Sequence, residues 1–265
     1  MNTLDKFNLK DTLAIITGGA GLLGRQHTEA LLDAGSSVIV LDNSSKNIKS
    51  LETSLGSHNN LHTFKIDITD EKAVLKLKNT IIKRFHNYPS VLINNAAIDP
   101  KVSGDNVESG SFESFKIDTL YQEISVGLVG AVICTKIFGN DMAKNKGGVI
   151  LNISSDLGLI APNQEIYENS YKPVSYSIIK HGIIGLTKYT STYWAREGVR
   201  CNALAPGGMK NDQSDKFISK IEKLIPMNRM ANQDEYKATI VYMCSDASSY
   251  MNGAIVAIDG GRTSW

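Results

Sequence analysis

Short apolar runs alternating with amphipathic stretches constrain the fold of this chain more than any other feature. The runs Leu13–Thr17, Val38–Asp42, Leu61–Ile66, Val91–Asn94, Val149–Ser154, Val199–Leu204 and Ala254–Ile258 have the length and apolar content of buried strands. Helical patterns lie between them. The segment Leu22–Ala34 is apolar on one face and stops before Gly35, and Glu71–Phe85 opens after Thr69 and Asp70, which are good caps. Repeated strand-helix units require right-handed crossovers, so the predicted architecture is α/β: a doubly wound parallel sheet of about seven strands with helices on both faces. The 265 residues suffice for one large core, and no linker or repeat divides them, so a single domain over 1–265 is expected. Ligands of such sheets sit at the carboxyl ends of the strands. The irregular stretches at about 158–173 and 207–230 follow strands there and are candidate substrate loops.

A net charge of +1 with interspersed signs gives no electrostatic reason to expect nucleic acid or a membrane surface as partner, and points to a small-molecule substrate. Cys134, Cys201 and Cys244 are odd in number and set in apolar surroundings, so they read as reduced core thiols, consistent with a cytoplasmic protein. Met1–Lys10 is polar and lacks the apolar run of a secretory signal, and no later stretch is expected to approach the length of a membrane span. No ligand spacing for a metal is evident among His58, His62 and His86. His27 and His181 are read as structural.

The first strand runs directly into Gly18-Gly19-Ala20-Gly21-Leu22-Leu23-Gly24 and then a helix. Glycines there permit a tight turn and close approach to a pyrophosphate, and the helix amino end supplies free N–H groups and positive dipole. This is the Rossmann-type phosphate cradle; the alternative is a tight turn with no ligand. Asp42 closes the second strand 18 positions after Gly24, near where a dinucleotide fold places the acid that binds the adenosine ribose. Its carboxylate favours NAD over NADP, whereas Lys46 nearby offers a charge to a phosphate, and a turn-capping role for Asp42 is the plainer option. Asp67, before Ile68, lines the adenine pocket or caps a turn.

Tyr176 and Lys180 are spaced i, i+4 at the start of a helical pattern and share one face. A phenol, with a free pKa near ~10, is a poor base at neutral pH, but an adjacent ammonium favours its ionised form. Ser155, one residue past the fifth strand, points into the same crevice and hydrogen-bonds a substrate oxygen, with Ser154 as the competing candidate.

Together these residues resemble the compact branch of the short-chain dehydrogenase/reductase family, from about Leu9 to Gly261. The resemblance rests on Thr17-Gly18 with Gly24, Asn94-Asn95-Ala96-Ala97, Ser155, Tyr176 with Lys180, Asn202 with Pro206-Gly207, and Asp259-Gly260-Gly261. It implies that Ser155, Tyr176 and Lys180 interconvert a hydroxyl and a carbonyl with NAD as cofactor. It also implies that Lys180 holds the nicotinamide ribose, that Asn94 steadies the central strand beside the cofactor, and that Pro206-Gly207 lies beside the nicotinamide. Leu22, Leu23, Ile68, Ala96, Met209 and Asn211 are further cofactor contacts on this view, and a homotetramer or dimer built through two long helices is implied.

Four departures stand out. Leu22 replaces a customary glycine, and Gly18, Gly21 and Gly24 match the spacing of the nucleotide-sugar-modifying branch. Gly127 stands where the family usually has a catalytic asparagine that helps hold a proton-relay water. Ser155 and Tyr176 lie 21 positions apart, an enlarged gap, and Asn211 replaces a customary threonine. The loop residues Gln164, Glu165, Tyr167, Glu168, Asn169, Tyr171 and Lys172 would suit a polyhydroxylated substrate. The wording from Tyr171 to Tyr176, together with Gly127, resembles a subgroup associated with flagellin and surface-glycan sugar biosynthesis. Two alternatives remain open: a dinucleotide-binding module without catalysis, and a nucleotide-sugar epimerase or dehydratase, against which the length argues.

Overall fold

A computed structural model describes residues 2–56, 58–98, 111–167 and 170–265. Seven strands among them form one wholly parallel sheet: β1 (Leu13–Thr17), β2 (Ser37–Asp42), β3 (Leu61–Lys65), β4 (Val91–Asn94), β5 (Gly148–Ile153), β6 (Val199–Pro206) and β7 (Ile255–Ile258), in the order β3-β2-β1-β4-β5-β6-β7. The helices are α1 (Leu22–Asp33), α2 (Ser45–Leu55), α3 (Glu71–Phe85), α4 (Ile117–Lys144), α5 (Val174–Tyr193), α6 (Asp215–Glu222) and α7 (Lys237–Cys244). Ser44 and Asp70 cap α2 and α3 through their side-chain oxygens.

The strands read as continuous apolar runs because both faces are covered. Ala14, Ile16, Val38 and Val40 enter one core with α1 and α7, while Leu13, Ile15, Ile39 and Leu41 enter the other with α3 and α4. Strand order reverses between β1 and β4, which opens a crevice at their carboxyl ends. The second candidate loop is not wholly irregular, since α6 lies within it.

One expectation needs correction. By length and composition α4, 28 residues long, could cross a membrane. Here it packs on α3 and the sheet, and it buries Glu123 and Asp141. Lys78 reaches the Asp141 carboxylate at 3.2 Å. Two π-helical turns, Ser125–Val129 and Thr135–Gly139, interrupt its regular hydrogen bonding.

Candidate active site

The crevice is about 1230 Å³, larger than the ~300–1,000 Å³ usual for one small ligand. It has room for an extended cofactor and a substrate together. The glycine turn forms one end. Gly18 sits at φ +61°, and a Cβ on it would stand 2.8 Å from Ala96 Cα; a Cβ on Gly24 would strike the Gly18 carbonyl oxygen. Gly21 caps α1 without any side-chain hydrogen bond, leaving the first-turn N–H groups at the crevice. A backbone cradle that any side chain would fill, at an open helix amino end, fits a dinucleotide pyrophosphate.

Asn95, which the sequence reading did not single out, clamps this turn. Its Nδ2 donates to the Thr17 and Gly18 carbonyls at 3.1 and 3.0 Å. Asn94 is not on the crevice wall: it lies buried beneath, donating to Thr135 Oγ1 and Asn152 Oδ1 at 2.9 and 2.8 Å. Its role is to tie β4, β5 and α4 together under the site.

Asp42 lies at the end of β2, on the crevice wall, with one oxygen accepting from Ala20 N–H at 3.3 Å and the other from Ser44 N–H at 2.9 Å. It therefore caps the turn and also faces the site. Lys46 is exposed and does not line the crevice. Asp67 accepts from the Thr69 amide and hydroxyl at 2.9 and 2.7 Å while bordering the same space, with buried Ile68 beside it. Leu22, Leu23, Ala96, Pro206, Gly207, Met209 and Asn211 all line it too. Gly207 approaches the chain so closely that a Cβ would sit 2.7 Å from Asp259 Cα.

The chemistry-bearing side chains converge at the far end. Ser154 donates to the Lys180 carbonyl at 2.8 Å, so it is committed to fastening α5. Ser155 instead donates to Asp156 Oδ1 at 2.8 Å. Tyr176 and Lys180 occupy the first turns of α5, and Lys180 Nζ donates to the Ile153 carbonyl at 3.0 Å, which pins the helix to the end of β5. Lys180 Nζ lies 5.6 Å from the Tyr176 ring centroid, and Lys172 Nζ lies 3.8 Å from it. Two ammonium groups thus lie close to the phenol ring, the second from the enlarged loop. Tyr236 also borders the crevice, but its hydroxyl donates to Gly207 O at 3.0 Å. Burial, with the charges of Asp156, Glu235 and Asp259, pushes its phenol up, so it stays neutral and is no rival base.

The enlarged loop is less polar toward the site than its composition suggests. Gln164 is spent on the Lys172 backbone, donating to its carbonyl at 3.2 Å and accepting its N–H at 2.9 Å. Ile166 and Tyr167 pack with Ile221, Ile225 and Met230 near α6. Ser170 and Lys172 border the crevice, Glu165 and Tyr171 do not, and Glu168 and Asn169 lie outside the described residues.

Gly127 is explained by packing. A Cβ there would stand 2.9 Å from Ile179 Cγ2, so its absence lets α4 and α5 meet. His27 is fully buried with both ring nitrogens unpartnered, and burial pushes it down to about 3; it is a neutral core residue and no proton donor. His181 is exposed, its ring nitrogen 2.9 Å from the Ser177 carbonyl. Burial pushes all three thiols up to about 12, which rules them out as nucleophiles. No metal-binding cluster occurs among the described residues.

A family model described as enoyl-(acyl carrier protein) reductase matches residues 19–263. The chain belongs to the short-chain dehydrogenase/reductase family. Within that family it is 29% identical to the 2-dehydro-3-deoxy-D-gluconate 5-dehydrogenase of Bacillus subtilis, over 97% of this chain and 96% of the relative. Among solved structures, a short-chain dehydrogenase from Leptospira borgpetersenii with bound NAD+ has a TM-score of 0.86 and 28% identity, covering 99% of this chain and 96% of that one. A gluconate 5-dehydrogenase from Burkholderia cenocepacia in complex with NADP and tartrate has a TM-score of 0.88 and 24% identity, with both chains covered completely. As a short-chain dehydrogenase/reductase, the protein is an NAD(P)-dependent oxidoreductase acting on CH–OH groups.

Proposed function

We propose that this protein is an NAD-dependent dehydrogenase of a small polyhydroxylated alcohol, a sugar or sugar derivative, with Tyr176 exchanging the proton. The observation that carries it is the pair of ammonium groups, Lys180 and Lys172, within 5.6 and 3.8 Å of the Tyr176 ring centroid in the crevice that also holds the glycine cradle. Positive charge beside a phenol favours its ionised form, so Tyr176 accepts the proton of a substrate hydroxyl at its Oη and returns it in the reverse direction. Ser155 fixes the substrate oxygen beside Tyr176. Lys180, pinned to Ile153 O, would also hold the ribose of the cofactor.

Gly18, Gly21, Leu22, Leu23 and Gly24 would hold the pyrophosphate, Asp42 the adenosine ribose, and Asp67, Ile68 and Ala96 the adenine side. Pro206, Gly207, Met209 and Asn211 would flank the nicotinamide. The bound dinucleotide supplies the hydride acceptor or donor. Asp42 supports NAD over NADP, because its carboxylate would repel a 2′-phosphate. The sugar reading is supported by the name of the Bacillus relative and by a crevice whose substrate end presents Ser155, Ser170 and Lys172.

A panel of D-threitol, galactitol, gluconate and simple secondary alcohols, each with NAD and with NADP, tests this. Turnover with at least one polyol is expected, faster with NAD. Tyr176→Phe should lose about 10²-fold or more in turnover, the scale of general acid-base catalysis, while its affinity for NAD stays close to wild type. Undiminished turnover in that variant would defeat the assignment of the base.

A further inference from the structure

The sequence reading did not single out Arg262, which the C-terminal turn delivers to the substrate end of the crevice. Gly260 and Gly261 take φ +66° and +88° and bend the chain back. Asp259 fastens the turn by accepting the amides of Gly261 and Thr263 at 2.9 and 2.8 Å. Arg262 is 5% exposed and borders the crevice. Its Nη1 donates to Asp156 Oδ2 at 2.8 Å, and Asp156 Oδ1 stands 2.8 Å from Ser155 Oγ. Two hydrogen bonds and the width of one carboxylate thus separate the guanidinium from the serine, at most about 8 Å.

A guanidinium presents five N–H donors in a fixed fork. Asp156 occupies only the Nη1 corner. Nε and Nη2 donate to no described residue, and neither is sealed in the interior without a partner. That edge is therefore open, and the space Arg262 borders is the crevice. On it two N–H bonds run parallel, spaced to meet both oxygens of one carboxylate. A hydroxyl offers such an edge one uncharged oxygen, whereas a carboxylate offers two charged ones, for bonds roughly twice as strong. The surrounding charges agree. Of the acids bordering the crevice, Asp42 and Asp67 stand at its β2 and β3 end, Asp156 is paired with Arg262, and Asp212 is exposed on the loop after β6. Lys172 and Lys180 lie at the substrate end beside Tyr176. A phosphate dianion suits the place less, because the Asp156 carboxylate lies against the same guanidinium.

We propose that the substrate is a polyhydroxylated carboxylic acid, its carboxylate bound by the Nε–Nη2 edge of Arg262 a few bonds from the hydroxyl held at Ser155 and Tyr176. Arg262 sets specificity and takes no part in proton or hydride transfer. The inference rests on the dehydrogenase reading, which places the reacting oxygen at Ser155 and Tyr176.

Pairs that differ only at one terminal carbon test it: D-gluconate with D-glucitol, D-galactonate with galactitol, and D-threonate with D-threitol. For the wild type, kcat/KM should favour the acid by about tenfold or more in at least one pair, the worth of one charge-assisted hydrogen bond. Calorimetry on the complex with reduced cofactor should show the same preference without turnover. Arg262→Lys keeps a cation for Asp156 and loses the planar fork, so the acid-to-polyol ratio should fall about tenfold, chiefly through KM. Should Arg262→Lys fold poorly, Asp156→Asn with Arg262→Gln replaces the ion pair by two neutral amides and should abolish the preference. Equal handling of acid and polyol by the wild type in every pair, or a preference that survives in both variants, overturns the proposal. Absence of turnover on every acid and polyol would instead defeat the dehydrogenase reading, and the calorimetric preference would still decide the carboxylate.

Discussion

Gly127→Asn restores the residue that the family usually carries on this helix, and the structure predicts that it damages the protein. The new Cβ would stand 2.9 Å from Ile179 Cγ2 and 3.3 Å from Ile179 Cδ1. Ile179 is buried and β-branched, with one strongly preferred χ1 in a helix, so its methyl group has nowhere to swing. The helices α4 and α5 must then separate. Overpacking of this kind costs about 1–3 kcal/mol. The gain in helix propensity on replacing glycine returns at most about 1 kcal/mol with alanine and less with asparagine. A net loss of roughly 1–2 kcal/mol lowers Tm by about 2–8 °C in a domain of this size. Ile179 directly precedes Lys180, whose Nζ is held on Ile153 O at 3.0 Å, so the displacement reaches the proton-transfer group. Small misplacements in a site can cost about 10²-fold in rate. Thermal melts and steady-state turnover of Gly127→Asn and Gly127→Ala measure both effects, with asparagine expected to be the worse. An asparagine variant that melts at or above wild type and turns over faster would refute the packing account.

His27 predicts acid sensitivity. Its folded-state value, pushed down to about 3 by burial, lies below the unfolded value of 6.5, so the unfolded chain binds the extra proton between those values. Stability is full above about pH 6.5 and falls by up to ~1.4 kcal/mol per pH unit below it. Denaturant melts of His27→Leu should show a flatter pH dependence over that window, and an unchanged slope would sink the attribution. The exposed apolar residues Val129 and Val132 on α4 and Ile178, Tyr189 and Tyr193 on α5 predict a homo-oligomer joined through these helices. Light scattering should give a mass above that of one chain, reduced in Val132→Glu; a monomeric wild type would count against it.

Much of the fold was legible because buried parallel strands and amphipathic helices announce themselves locally. The strands expected at Leu13–Thr17, Val38–Asp42 and Val91–Asn94 agree with β1, β2 and β4 to within a residue, and Asp70 caps α3 as its position suggests. Strand ends depend on the neighbouring strand: the run Val199–Leu204 extends to Pro206 as β6, where pairing with β7 carries it on. The loop residues misled because a polar side chain does not reveal its partner. Gln164 was counted toward the substrate and is consumed by the Lys172 backbone. Asn94 and Asn95 are adjacent and chemically identical, and which of them faces the crevice depends on the pleat and on what packs beneath.

By itself the sequence determined the class of chemistry. A glycine turn between strand and helix, an acid ending the next strand, a serine past the fifth strand and a tyrosine one helical turn before a lysine carry their meaning in short-range spacing. Only the tertiary structure decided what surrounds those groups. It brought Lys172 over the Tyr176 ring, set Arg262 against Asp156 across 106 positions, and filled the space at Gly127 with Ile179. The physical reason is that hydrogen-bond direction, charge pairing and close packing depend on distances between segments remote in the chain, which no local pattern encodes.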